Sequence, residues 1–285
     1  MKLLPTFAQS HRDIEPLLNT INHCDCFELL ARLPDKSVDM ILADLPYGVT
    51  QAFYDTVIPL VPMWKELHRI IRPKGAIVLT ASQPFSSMLV HSNVNNFCYE
   101  WIWNKRRKTN FLNAKKMPLT SHEVILIFAD KLPNYYPQMI EGNWHKSGQS
   151  HDRGTILYGS FNVNFYLRDS YYPDTILEVP HDPELSVTYT HKPNKQKTHP
   201  NQKPVKLFEY LIKTYTRENE IVLDFVSGSG TTAIAARKCN RQFICGDFTL
   251  EYVLASRKRL QDTDPYRATE LSNGQKQLSL FEETA

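Results

Sequence analysis

The chain has 285 residues, 42% hydrophobic and 22% charged, near the average for globular proteins, which excludes disordered, collagen-like and membrane-bundle classes. Its 33 basic and 30 acidic residues leave a net charge of +3, too small to demand a polyanionic partner unless the charge is unevenly spread. Five scattered cysteines with no C-x-x-C pair exclude a four-ligand zinc clamp and predict free thiols in a reducing compartment.

Two α/β runs are separated by a stretch of different texture. The first begins near Ile21. Ser37–Ala43 reads as a buried strand that ends at Asp44-Leu45-Pro46-Tyr47-Gly48. Residues Leu60, Met63, Trp64, Leu67, Ile70 and Ile71 repeat at the period of a one-faced helix, which Arg72-Pro73-Lys74-Gly75 stops. Strands at Ala76–Ala81, Cys98–Trp103 and His122–Phe128 follow, with a helix from about Pro84. Residues 131–198 hold seven of the fourteen tyrosines among Pro, Asn, His and Gly, without helical period, and read as a loop-rich insert. The second run opens at Pro204, a favoured first helical residue. It continues with a strand at Glu220–Asp224, a helix at Gly230–Cys239, a strand at Gln242–Asp247 and a helix at Thr249–Leu260. This alternation predicts an α/β fold with a mostly parallel sheet covered on both faces. After Asp262 the chain loses its pattern, and 263–285 reads as a mobile tail. No apolar run approaches the ~18 residues of a membrane span, and Pro5 interrupts any signal core, so a cytoplasmic protein is expected.

In Asp224-Phe225-Val226-Ser227-Gly228-Ser229-Gly230-Thr231-Thr232, a strand ends in an acid and passes through a G-x-G turn into a helix. Gly228 and Gly230 let backbone approach a ligand, and the following strand ends in Asp247, an acid able to accept ribose hydroxyls. The pattern predicts a nucleoside cofactor and also matches a dinucleotide fingerprint, so a nicotinamide-dependent oxidoreductase stays open.

Asp44–Tyr47 also follows a strand directly, at the end of the sheet where ligands bind. An exocyclic amine on a heteroaromatic ring is a poor nucleophile because its lone pair is delocalised. The Asp44 carboxylate and the Leu45 carbonyl, which Pro46 holds in an extended backbone, can accept its two N–H groups and localise that pair. Tyr47 offers a flat face for an extruded base.

With these residues the chain resembles the amino-methylating DNA methyltransferases, which move a methyl from S-adenosylmethionine to adenine N6 or cytosine N4. Asp44–Tyr47 is similar to their catalytic (D/N/S)PPY string, with Leu45 in place of the first proline. Asp224–Thr232 resembles their cofactor loop, departing from it at Phe225, Val226 and Ser227. His199–Pro204, with Asn201 and Lys203, resembles the segment that helps hold the methionine end. Phe243–Asp247 resembles the ribose-binding strand, and Ile21–Asp25 the strand whose acid, Asp25, lies near the cofactor adenine. The resemblance implies cofactor contacts at Asp25, Asn201, Lys203, Asp224, Val226, Gly228, Gly230, Thr231, Thr232 and Asp247. Catalytic string first and cofactor loop last is the order of the circularly permuted β class, bacterial or prophage in type. The resemblance therefore implies a permuted Rossmann-like methyltransferase domain built from 1–130 and 199–262, with 131–198 as a target-recognition insert and 263–285 as the tail. Asp44 in the first position favours adenine N6, with cytosine N4 open. No metal is implied.

Charge distribution agrees with a DNA partner. Lys105, Arg106, Arg107, Lys108, Lys115 and Lys116 lie in an acid-free stretch, and so do Lys192, Lys195 and Lys197; both flank the expected cleft and predict phosphate contacts to double-stranded DNA. Gln277-Leu278-Ser279-Leu280-Phe281 resembles the pentapeptide with which bacterial proteins dock onto the replication sliding clamp, with Gln277, Leu278, Leu280 and Phe281 as its anchors. A homodimer is compatible with the sequence. A DNA-binding protein derived from a methyltransferase but without turnover, and methylation of RNA or protein amines, remain alternatives.

Overall fold

The computed structural model describes residues 13–48, 57–147, 166–179 and 202–263, without the side chains of Arg107, 144–147 and 166–168. The strands are β1 (Thr20–His23), β2 (Val38–Asp44), β3 (Ile71–Ala81), β4 (Phe97–Thr109), β5 (Thr120–Phe128), β6 (Ile140–Ser147), β7 (Tyr166–Tyr171), β8 (Ile176–Leu177), β9 (Ile221–Asp224) and β10 (Gln242–Asp247). The α-helices are α1 (Cys26–Arg32), α2 (Leu60–Ile70), α3 (Phe85–Ser92), α4 (Val205–Tyr215), α5 (Thr231–Lys238) and α6 (Leu250–Asp262).

Eight strands form one sheet in the order β1-β10-β9-β2-β3-β5-β4-β8. The first five are parallel, β5 is antiparallel to both β3 and β4, and β8 is parallel to β4. Strands from opposite ends of the sequence interleave: β9 and β10 sit between β1 and β2. The two-residue period of β2 divides the core. Met40 and Leu42 pack toward α4, α5 and α6, while Ile41 and Ala43 pack toward α1, α2 and α3, all fully buried. A strand buried on both faces reads as the continuous apolar run seen in the sequence.

The segment Arg72–Gly75 lies inside β3, as a bulge between the Val38↔Ile71 and Met40↔Ala76 pairs, and α2 passes into β3 with no loop. Gly75 is required in that bulge: a Cβ there would lie 2.7 Å from the Asp39 carbonyl oxygen. Tyr215 ties α4 to the sheet, its hydroxyl accepting from Trp101 Nε1 at 2.7 Å and lying 3.0 Å from the Tyr99 hydroxyl. The stretch read as loop-rich contains a two-stranded ribbon, β6–β7, and contributes β8 to the edge of the main sheet. Among the described residues no helix is long and apolar enough to cross a membrane.

Candidate active site

Acids stand at the carboxyl ends of four neighbouring parallel strands. β2 ends in Asp44, β9 in Asp224 and β10 in Asp247, and Asp25 follows β1. In a doubly wound sheet this edge faces the loops that bind ligands.

Asp44 is held through both carboxylate oxygens. Oδ1 accepts from the Tyr47 hydroxyl at 2.8 Å and from the hydroxyl of Thr80, its direct neighbour in β3. Oδ2 accepts from Lys203 Nζ at 2.8 Å. The same ammonium lies 3.2 Å from Glu123 Oε2, and Glu123 Oε1 accepts from Lys105 Nζ at 3.1 Å. The result is an alternating chain of charge, Lys105–Glu123–Lys203–Asp44, running from β4 through β5 to β2. Burial opposes the Lys203 ammonium, but the Asp44 and Glu123 carboxylates outweigh it and hold its pKa well above the ordinary lysine value. Burial likewise opposes the Glu123 carboxylate, and Lys203 and Lys105 outweigh it, lowering its pKa. Tyr47 is pushed well above its ordinary value by burial and then by Asp44, so its hydroxyl stays protonated and remains a donor. Its ring stacks on Phe85 at 5.4 Å between centroids and 28° between planes, with Lys203 Nζ 5.7 Å from its centroid. The Leu45 side chain is buried in the α1–α3 core, which anchors a position where the family string has proline.

The turn after β9 is built from its own acids. Asp224 accepts from Val226 N at 3.1 Å and from the Thr232 hydroxyl, fastening the start of α5. Burial raises its pKa to about 7, against the lowering effect of those bonds. Asp247 accepts from Gly228 N at 2.9 Å and Thr249 N at 2.8 Å, joining the turns after β9 and β10. Both acids are buried and organise the turns. Gly228 (φ 47°) and Gly230 (φ 73°) take left-handed backbone, and a Cβ on Gly230 would lie 2.6 Å from Ser256 Cβ. The Thr231 hydroxyl donates to the Lys203 carbonyl at 3.3 Å, which brings the segment preceding α4 against the start of α5. Among the described residues, the buried hydroxyls Ser227 Oγ and Thr249 Oγ1 have no hydrogen-bond partner. Asp25 is exposed and caps α1, accepting from Phe27 N at 2.8 Å.

Several residues sit differently from the sequence reading. Lys203, assigned there to the cofactor, has its ammonium on Asp44 and Glu123. Lys105, assigned to phosphate, is turned inward onto Glu123, both side chains 16% exposed. Arg106 is exposed but pairs with Glu178 Oε2 at 2.6 Å, which ties the segment after β8 to β4. Lys108, near the end of β4, and Lys115 and Lys116, on the β4–β5 connection, are exposed. Asn201, Lys192, Lys195, Lys197 and the tail residues Gln277, Leu278, Leu280 and Phe281 lie outside the described residues. Glu123, Thr80 and Phe85 were not singled out from the sequence. The available signal was a polar residue at the end of an apolar strand run, Thr80 in AIVLTA and Glu123 before VILIF.

The chain matches the N6/N4 methyltransferase family, described as DNA methylase, over residues 38–258, and it belongs to that family. It is 26% identical over 277 residues to the DNA adenine methyltransferase YhdJ of Escherichia coli (strain K12), covering 90% of this chain and 87% of that protein. It is 28% identical over 258 residues to the type II methyltransferase M1.MboII of Moraxella bovis, covering 83% and 94%. Among solved structures it shares the fold of the M1.HpyAVI–SAM complex, with TM-score 0.55, 22% identity and 84% and 98% of the two chains covered. It also shares the fold of the cytosine-N4-specific PvuII DNA methyltransferase, with TM-score 0.59, 16% identity and 85% and 90% covered. The fold is thus the Rossmann-like methyltransferase fold, and the chain is a DNA methyltransferase by family.

Proposed function

We propose that this chain is a β-class, circularly permuted, S-adenosylmethionine-dependent enzyme that methylates the exocyclic amine of a flipped base, adenine N6 in a short duplex site. The observation that carries this reading is the juxtaposition of Asp44–Tyr47 with the Gly228/Gly230 turn, at the carboxyl ends of the adjacent strands β2 and β9. The order of the two motifs along the chain, set against their adjacency in the sheet, supports the permuted class. The adenine methyltransferase among its relatives and the aspartate at position 44 support adenine N6.

The turn fits a ribose-bearing cofactor: its glycine backbone is open to close approach, and the partnerless hydroxyls of Ser227 and Thr249 border it. In this reading Asp25, Asp224, Val226, Gly228, Gly230, Thr231, Thr232 and Asp247 form the cofactor site with the backbone of Lys203, and Asn201 is assigned to it by the resemblance alone. S-adenosylmethionine, when bound, supplies an electrophilic methyl on its sulfonium. Asp44 and the Leu45 carbonyl accept the two amine N–H groups and direct the nitrogen lone pair. Two hydroxyls on Oδ1 and the Lys203 ammonium on Oδ2 fix the orientation of the Asp44 carboxylate. Asp44 and the Leu45 carbonyl would hold the amine nitrogen while it exchanged the sulfonium S–C bond for its own N–C bond, the surplus proton passing to solvent. Positioning supplies most of the rate.

The tail string Gln277–Phe281 supports docking to a sliding clamp. The catalytic reading is tested by modified-base sequencing of DNA from a host expressing the chain. N6-methyladenine at one short site is expected, and it should disappear with Asp44→Ala. Full modification by that variant would refute the assignment of Asp44, and N4-methylcytosine would move the target to cytosine.

A further inference from the structure

β4 and β5 are joined by a projecting connection, residues 110–119, closed by the Thr109↔Thr120 pair. Its backbone is tied to itself. Asn110 takes left-handed backbone (φ 70°) and opens a short 3-10 turn, Phe111–Asn113. Asn113 Nδ2 donates to Asn110 Oδ1 at 2.7 Å, and the amides of Asn113, Lys116 and Met117 bond within the connection at 3.1, 2.8 and 3.0 Å. This preformed tip carries large apolar side chains into solvent: Leu112 is 100% exposed, Phe111 55% and Met117 52%. Exposed apolar groups rimmed by charge mark an interaction site. The rim is cationic, with Lys108, Lys115 and Lys116 exposed and no acid from 101 to 122. Positive charge around the tip suits a polyanion, and the apolar end suits the base stack inside it. The root of the connection is fixed at the catalytic carboxylate through Lys105–Glu123–Lys203–Asp44.

We propose that Phe111 and Leu112 form a wedge that enters the duplex stack beside the target and stabilises the opening left by the extruded base. The inference rests on the DNA-methylating reading above. Apolar wedges pay for partial unstacking by stabilising the distorted duplex, and a rigid tip loses little entropy in doing so. The lysines hold the flanking phosphates, so affinity and base opening are carried by different residues of the connection and the adjoining end of β4.

The test uses the full chain and a duplex bearing the site found by modified-base sequencing, with 2-aminopurine at the target position for fluorescence and adenine there for methyl transfer. Wild type should raise the fluorescence on binding. Phe111→Ala/Leu112→Ala should lose most of that rise and slow transfer to a paired target by about tenfold or more, the scale of a base-opening contribution. The same variant should recover most of its rate when the target base faces an abasic site, where extrusion costs less. Wild-type flipping by the variant overturns the wedge. So does an equal defect on paired and abasic duplexes, which would indicate lost affinity alone. A wild-type chain that transfers labelled methyl to no DNA fails at the earlier step and removes the catalytic reading with it.

Discussion

The Lys203 ammonium bonds Asp44 Oδ2 at 2.8 Å across 159 residues of sequence, joining the segment before α4 to the end of β2. Both partners are largely buried, their side chains 10% and 24% exposed, and Glu123 closes the group on the far side at 3.2 Å. Such a group fixes geometry more than it stabilises: desolvation offsets much of the attraction, whereas removing one member leaves the others uncompensated.

Lys203→Met is therefore expected to destabilise the fold by about 3 kcal/mol at neutral pH, the usual cost of breaking a buried pair. In wild type the Lys203 pKa is raised, so its contribution is present below the ordinary lysine value and lost only in strong alkali; that of Glu123, with its lowered pKa, is lost only in acid. Without Lys203, the Glu123 carboxylate loses its leading counter-charge against burial, and the deficit should shrink as pH falls toward about 4. Urea denaturation of both proteins across pH measures this; a pH-independent deficit would contradict it.

Asp224 provides a second pH signature. Its pKa rises from 3.8 to about 7 on folding, chiefly through burial, so its contribution is full below 3.8 and lost as pH climbs through 7. Asp224→Asn removes this titration and retains a side-chain acceptor for Val226 N. The wild-type melting temperature should fall more steeply than the variant's between about pH 4 and about pH 7. Parallel curves from scanning calorimetry would count against a raised pKa.

Gly230→Ala puts a side chain into left-handed backbone and against Ser256 Cβ, 2.6 Å away. Backbone strain of this kind costs about 1–3 kcal/mol, before the clash. Adding Ser256→Gly should relieve the clash and leave the backbone cost, so the double variant should melt between the single variant and wild type. Thermal denaturation of the three proteins decides the matter, and a double variant no better than Gly230→Ala would show that the contact is unimportant.

At the tail, Leu280→Ala/Phe281→Ala should abolish capture of the full chain by immobilised sliding clamp while leaving methyl transfer to short duplexes unchanged. A leucine and a phenylalanine in a polar segment are the anchors expected to dominate binding. Retention of the double variant on the clamp, measured in a pull-down, would remove this partner.

The sheet was readable where burial imposes a pattern. The runs at Ser37–Ala43, Ala76–Ala81 and Gln242–Asp247 are apolar because both of their faces are covered, and the acids closing β2, β9 and β10 were visible as punctuation after them. Pairing between distant charges leaves no such trace. Composition locates Lys105 in a basic stretch, but only tertiary structure turns it onto Glu123 while Lys108 remains in solvent. The same limit applies to Lys203, whose carbonyl accepts from Thr231 at the start of α5 while its ammonium reaches Asp44. Arg106 finds Glu178 across 72 residues. β8, two residues long, lies below the length at which periodicity can be detected.

The interleaving of β9 and β10 between β1 and β2 has a consequence for how the molecule is made. A ribosome delivers β2 long before β9, so the nascent chain must hold an apolar strand with one unpaired edge until residues 221–224 emerge. Met40 and Leu42 remain incompletely covered over the same interval, since α4 and α5 are also made late. The core closes only when the last quarter of the chain arrives, which ties completion of the sheet to completion of synthesis and makes truncated products open-edged and prone to aggregate.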